Sequence, residues 1–506
     1  MEDAGSIPAG LPFLARDLPQ WRRIRAEMPS PSVVAAAAEA RAAGDWRAAA
    51  TLMPVDVVVD PPAVRARFGA AAADALEDDL RHLCLDLLWW HLPRHRGGMT
   101  TLQAQVSAIL APRTGADTAP LLRLRLPRSP TGPQRVRLEV ASLADLQYDR
   151  WYLAPRHTWD VRETAELANV WQDSQVYSLL SAGDHASAWR RCGIAVDSID
   201  PEALQRPTTA PTSPLGVAEQ ARAAAAAFGV DEVATLFGAY LRLNVSDLTA
   251  TGSDPSEWME VPVRIPTGTI PPDLALIEAG LMSPSRLHPL MREALYPDAP
   301  SFAENAGFVG YPGSFRVRCG ADWHRLAIEG GALRLPDHDE AEQLREAALR
   351  SLGGSSSGCY AAQQAWTTGG RLPRALAAHR REVLHRLQHG DTEYLMEGLG
   401  NGSIDPRMRA GNGWSLVHMA MWVDHARALP ALLAAGVPVD ARDRIGRTPL
   451  YTCVMNGADP ELVRALLAAG ADPHAETVHG ADPAGVARAR GDWRDLRFLG
   501  DLVSGG

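Results

Sequence analysis

Gly446-Arg-Thr-Pro-Leu-Tyr-Thr-Cys453, followed by Asp459-Pro-Glu-Leu-Val-Arg-Ala-Leu-Leu-Ala-Ala-Gly470, is the stretch from which the carboxy-terminal architecture is read. Asp459 is placed to cap a helix, Pro460 suits the first helical position and Gly470 the stop. The pattern recurs. Gly413-Trp-Ser-Leu-Val-His-Met-Ala420 stands 33 residues ahead of the Gly446 stretch, and the Ala-Ala-Gly that ends at Gly436 stands 34 ahead of the one that ends at Gly470. An atypical third copy starts at Gly480. Such a period predicts units of two short helices and a loop. One helix pair cannot bury its own apolar face, so the units must stack, and stacking exposes a concave surface of loop tips and first helices.

These residues resemble the ankyrin-repeat family. Gly446-Arg-Thr448-Pro449-Leu450 and Leu466-Leu-Ala-Ala-Gly-Ala-Asp472 are close to the family's G-x-T-P-L-H and LLxxGAD signatures. His389 to Pro406 looks like half of a degenerate capping repeat, and Val486, Trp493 and Leu496 are placed to close the last unit. Tyr451 stands where the family prefers His, Leu416 replaces the Pro, and Asp482-Pro483 replaces Thr-Pro. The resemblance implies an α-solenoid over residues 373–506 that binds a protein partner. The family's variable contact positions fall on Asn412, Trp414, Trp422 and Val423 in the first clear unit. They fall on Arg444, Ile445, Arg447, Met455 and Asn456 in the second, and on Val478, His479, Ala481 and Arg490 in the last. Trp and Arg dominate binding hot spots. The alternative is an intramolecular brace, the repeats docking on the amino-terminal body of their own chain.

The remaining 370 or so residues carry no recognised family motif, and composition bounds them. The 506 residues carry a formal charge of −10 and are 46% hydrophobic, which fits several folded domains rather than a disordered chain. Without a basic run the chain lacks the footprint of a nucleic-acid binder. No lysine occurs, which excludes the P-loop, the kinase strand Lys and all Schiff-base mechanisms. The five cysteines are far apart, with no CxxC pair, so neither a disulfide framework nor a zinc ribbon is expected. The start has acids before any base and no apolar core of signal-peptide length, and no later stretch is long and apolar enough for a membrane span. A reducing cytoplasm is the expected compartment.

Local patterns then divide the chain. Val33 to Leu52, broken at Gly44-Asp45-Trp46, predicts a helical hairpin with Asp45 as a cap. Ala63 to Leu92 is helix-rich up to Pro93. Leu122–Leu126 and Arg135–Val140 alternate with period two across Ser-Pro-Thr-Gly-Pro, an antiparallel hairpin with one apolar and one arginine-rich face. Phe315–Cys319, His324–Ile328 and Ala332–Leu335 suggest a meander, and Glu340 to Leu352 a helix capped by Asp337 or Asp339. The expected architecture is multidomain and mainly α with small antiparallel β elements. It comprises an α+β domain (1–205), a Pro/Thr-rich linker (206–216), a mixed middle domain (217–352), a flexible connector (353–372) and the repeats (373–506).

Candidate chemistry is sparse. Gly354-Ser-Ser-Ser-Gly358 fits GxSxG formally, but a nucleophile elbow needs a strand before the serine, and a linker is the simpler reading. In Asp337-His-Asp-Glu340, capping explains the carboxylates better than metal ligation does. His385 and His389, with Glu382 one turn earlier, share a helix face but identify no third ligand, and Pro93 spoils the helical spacing of His91 and His95. The weak catalytic candidates are His157 with Asp149 or Asp160, an imidazole beside a carboxylate being a potential general base; Asp160 also suits the cap of a helix from Val161 to Trp171. Trp89-Trp90 reads as core. The sequence therefore points to a non-enzymatic adaptor or regulatory protein with a protein partner, no metal and no cofactor. Its rival is an enzyme or effector module in residues 1–330 that uses the repeats for targeting.

Overall fold

Residues 18–95, 100–112, 119–146, 150–204, 212–236, 240–252, 261, 263–266, 268–269, 271–300, 313–354 and 356–489 are described by the computed structural model. They fall into two compact units, Met1–Pro127 with Arg135–Ala306, and Arg128–Gln134 with Gly307–Gly506. This division differs from the five segments read off composition. Its main break lies after Ala306, and the second unit borrows seven residues, Arg128–Gln134, from the sequence of the first.

In the first unit, helices α1 (Pro31–Ala42) and α2 (Trp46–Thr51) form the hairpin that the Gly44 break implies, each started by a side-chain cap. Ser30 accepts from Val33 N and Asp45 from Ala48 N. Then come β1 (Val55–Val58), α3 (Ala70–His82), α4 (Leu85–His91), β2 (Ser107–Leu110), β3 (Pro120–Arg125), β4 (Val136–Ser142) and β5 (Trp151–Leu153). The strands form one sheet in the order β1-β4-β3-β2-β5. β3 and β4 pair antiparallel, Leu122 opposite Val140 and Leu124 opposite Leu138, as the alternation requires. The arginine face divides: Arg123 is buried, donates to Ser107 Oγ and lies 3.4 Å from Glu139, while Arg135 and Arg137 stay exposed. Parallel partners β1 and β5 add the two edges that the alternating pattern alone cannot reveal.

Helix α5 (Val217–Phe228) packs its alanine face on a second sheet, β6 (Glu232–Leu236), β7 (Leu241–Asn244), β8 (Ala250–Gly252) and β9 (Arg264–Pro266), ordered β9-β6-β7-β8. Trp89 and Trp90 are core, and among the described residues no helix is long and apolar enough to cross a membrane.

The second unit opens with the expected meander, β10 (Phe315–Cys319), β11 (Asp322–Glu329) and β12 (Ala332–Arg334), all antiparallel. Asp339, not Asp337, caps α6 (Glu340–Ser351), accepting from Glu342 N. The predicted flexible connector is partly wrong: Gly358–Thr368 forms helix α7, whose Cys359 and Trp366 are buried. The serine run follows a helix, so no nucleophile elbow is built. Helices α8 (Arg374–Gln388) and α9 (Thr392–Gly400) lead to a 3-10 helix, Leu416–Trp422, then α10 (His425–Ala434), α11 (Pro449–Asn456), α12 (Pro460–Ala468) and α13 (Pro483–Ala489). A single apolar core runs from Phe315 to Ala487. The meander and α7 thus belong to the same folded body as the repeats. The mixed α+β reading of the chain holds.

Candidate functional site

The repeat chemistry builds the surface from the caps outward. Thr448 Oγ1 accepts from Tyr451 N at the start of α11, Pro449 occupies the first position, and Gly457 ends the helix at φ 65°. Asp459 and Pro460 start α12 in the same way. In the preceding unit Leu416 stands where Pro would be. There the 3-10 helix is closed by Ser415 and His418: His418 Nδ1 accepts from Ser415 N at 3.1 Å, so the proton lies on Nε2, which donates to Arg447 O, also at 3.1 Å. Burial pushes the His418 imidazole down to about 4, against the upward pull of the Arg447 carbonyl and Asp443.

Loop tips repeat in register. Arg444 N donates to Asn412 O, and Val478 N donates to Ile445 O, so successive tips are laced by main-chain bonds. Arg409 reaches Arg442 O, and Arg442 reaches Glu476 O. Asp443 organises the middle tip, accepting from the main-chain N of Ile445 and Arg447, the Arg447 guanidinium and Trp414 Nε1. Asn412, Arg444, Ile445, Val478 and His479 face solvent, with Ile445 38% and Val478 67% exposed. Arg447, Val423, Met455 and Ala481 are half-buried. Arg490 lies outside the described residues.

Three sequence-derived contact residues need correction as free surface. Trp414, Trp422 and Asn456 are 4, 9 and 8% exposed. Trp414 is held by Asp443 beneath the tips, and the other two hold the chain's own residues 128–134. Trp422 Nε1 donates to Thr131 O at 2.8 Å, Thr131 Oγ1 donates to Asn456 Oδ1 at 2.7 Å, and Gln388 Nε2 to Pro130 O at 3.4 Å. A side chain at Gly132 would meet Asn456 O at 3.1 Å. Sequence reasoning saw Ser-Pro-Thr-Gly-Pro as a hairpin turn; its second role as an occupant of this surface leaves no local signal.

Residues 445–478 match the family model of the ankyrin repeat. That ankyrin repeat covers the tip at Ile445, helices α11 and α12 and the tip at Val478. The chain is also 30% identical over 129 residues to the B-cell lymphoma 3 protein homolog of Mus musculus, an alignment that spans 24% of this chain and 29% of that protein. The chain is thus similar to that protein over a minor part of either length.

The catalytic candidates of the first unit do not assemble. Asp149 lies outside the described residues. Asp160 is fully buried but accepts from Arg156 and Arg162; burial acts to raise its carboxyl pKa, and the hydrogen bonds from Arg162 and Arg156 outweigh it and hold the pKa below the ordinary range. It does not cap a helix from Val161, since that helix starts only at Glu166. Among the described residues no hydrogen bond joins it to His157, whose imidazole burial pushes down to about 4. His157 instead lines a cavity of about 180 Å³ with Trp90, His91, Tyr152, Trp171 and the ion-paired Arg25 and Asp273. Trp90 Nε1 and His91 Nε2 are buried there without a hydrogen-bond partner among the described residues. His385 and His389 contact edge to face, while Glu382 is engaged by Arg386. One donor set was missed by sequence reasoning, which discounted zinc for want of a CxxC pair: Cys319, His324, His338 and Cys359. Its signal was the hairpin that places residues 319 and 324 on neighbouring strands.

Proposed function

We propose that the protein is a non-enzymatic adaptor or regulatory protein that captures a polypeptide on the tips of a short ankyrin solenoid, in a reducing cytoplasm. The observation that carries this reading is the laced row Asn412, Arg444-Ile445 and Val478-His479, which offers two exposed aliphatic side chains beside a guanidinium. Main-chain bonds between tips limit the order lost on association. Residues 128–134 on Trp422 and Asn456 support the brace as a companion role: the inner part of the surface serves the chain itself and the tips serve the partner.

The test places a photo-crosslinking residue at position 445 or 478 of the full chain, and at exposed Val58 as control, in extract of the source cells. A discrete polypeptide adduct at 445 and 478, absent at 58 and abolished by Arg444→Glu, is expected. Equal labelling at all three positions rejects the reading. A second reading, favoured by the two orphaned ring nitrogens in the 180 Å³ cavity, gives the first unit a small aromatic or polar ligand. Ligand-dependent quenching of tryptophan fluorescence that His91→Phe removes supports it.

A further inference from the structure

The start of the second unit gathers four donor side chains that the ankyrin surface does not use. β10 and β11 pair Val317 with His324 and Cys319 with Asp322. Cross-strand partners share a face, and so do residues two apart, so the hairpin sets Cys319 and His324 side by side. β12 carries the chain to His338, whose Nε2 lies 2.8 Å from His324 Nδ1. α7 then brings Cys359, in its first turn, against Cys319. Gly358 permits that approach: its φ is +54°, and a Cβ there would lie 2.5 Å from Cys319 Sγ and 2.9 Å from Cys319 Cα. The four donor atoms lie within 4.8 Å of one another.

We propose that Cys319, His324, His338 and Cys359 bind one structural zinc ion in tetrahedral geometry. Two thiolates and two imidazoles form a Cys₂His₂ donor set suited to Zn²⁺ and poorly suited to Ca²⁺ or Mg²⁺, which prefer oxygen. Bonds of about 2.0–2.1 Å to nitrogen and 2.3 Å to sulfur place the ligands roughly 3.3–3.8 Å apart, within the observed span. The two facing imidazole nitrogens move apart by about half an ångström to admit the ion. Behind His338, Nδ1 is 3.3 Å from Glu342 Oε2 and 3.2 Å from Tyr360 Oη, the outer hydrogen bonding that fixes a ligating imidazole. All four positions are filled by protein, Cys359 is fully buried and the His338 side chain is 7% exposed, so the site is closed rather than catalytic. Half-buried Cys319 and His324 leave a route of entry. The ion ties the hairpin, the turn before α6 and the start of α7 together, and its binding energy becomes folding energy for the core that Phe315, Leu326 and Trp366 share with the repeats.

The full chain, purified under reducing conditions, tests this by elemental analysis and by Co²⁺ substitution. One zinc per chain is expected, together with intense visible d–d bands and a thiolate charge-transfer band for the cobalt form. Cys359→Ser and His338→Phe should lose the metal and unfold at lower temperature, whereas Cys192→Ser should retain it. If a ligand variant fails to fold, titration of the apo wild type with Zn²⁺ against a chromogenic chelator gives the same decision. Substoichiometric zinc in the reduced protein, the weak spectrum of octahedral cobalt, or full zinc retention by Cys359→Ser overturns the proposal. So does a Cys319–Cys359 disulfide that persists under the same reducing conditions.

Discussion

Trp422 donates its indole N–H to the main-chain oxygen of Thr131, two residues 291 positions apart in sequence. Trp422→Phe keeps the ring beside Trp414, 5.8 Å between centroids, and removes only the donor. The expected cost is about 1 kcal/mol, with faster amide exchange confined to residues 128–134. Trp422→Ala also opens a void and costs about 3–5 kcal/mol, so it reports on folding rather than on partner capture. Denaturant melts with hydrogen-exchange mass spectrometry separate the two. Unchanged exchange at 128–134 in Trp422→Phe would show that the bond does not hold the segment.

Gly369→Ala should be among the most damaging single-methyl changes in the second unit. Gly369 has φ +79°, and an added Cβ would lie 2.2 Å from Ala410 O, a main-chain atom that cannot swing aside. The backbone penalty and the overpacking together amount to roughly 3 kcal/mol. A thermal melt of the purified variant checks this, and a shift no larger than that of Gly436→Ala, where φ is equally positive at +82° but nothing lies within 4 Å of the added Cβ, argues against the clash.

His418 makes the second unit sensitive to acid. Its imidazole is held near 4 by burial when folded but titrates near 6.5 when unfolded, so the unfolded state binds the extra proton between these values. Stability is therefore fully present above pH 6.5 and falls by about 1.4 kcal/mol per pH unit as acid carries the protein toward pH 4. His379 and, in the first unit, His157 act in the same direction. His418→Asn, which can still accept from Ser415 N, should flatten part of this slope in denaturant melts between pH 7 and 5. An identical slope in the variant removes His418 from the account.

In the first unit, Asp86 is buried between Arg41 at 2.7 Å and His288 at 3.0 Å. Asp86→Asn keeps the shape but strands the Arg41 guanidinium, at a cost of about 3 kcal/mol. The double variant Asp86→Leu with Arg41→Met should recover part of that loss, since it removes both of these charges together while leaving the buried His288 without its carboxylate. Urea melts of the two variants decide the matter: a double variant no more stable than Asp86→Asn counts against the charge argument.

The repeat helices were legible because their start and stop signals are local: Thr448 and Asp459 cap, Pro449 and Pro460 lead, Gly457 and Gly470 close. The antiparallel strands were legible for a similar reason, their period-two alternation pairing across short turns. What escaped is long-range. Gly358 reads as part of a serine-rich linker until Cys319 is set against it. Asp160 reads as a cap or a catalytic carboxylate until Arg156 and Arg162 close on it. Trp422 reads as a contact for another molecule because no neighbouring residue tells of Thr131. The candidate tips Ile445 and His479 needed no such distant partner, and their exposure followed from loop position alone; Arg444 is exposed as well, but its guanidinium donates to Gly369 O at 2.6 Å.

Residues 128–134 have a consequence for how the molecule can be divided or inherited. The second unit is not one continuous stretch of polypeptide, so no single cut at the chain level releases it whole. A fragment that starts near residue 313 would leave Trp422 and Asn456 without their neighbour, and one that starts at 373 would also discard α7 and the sheet that share a core with α8. Recombination that shuffled the repeats as a cassette into another protein would have to bring a matching seven-residue insert with it.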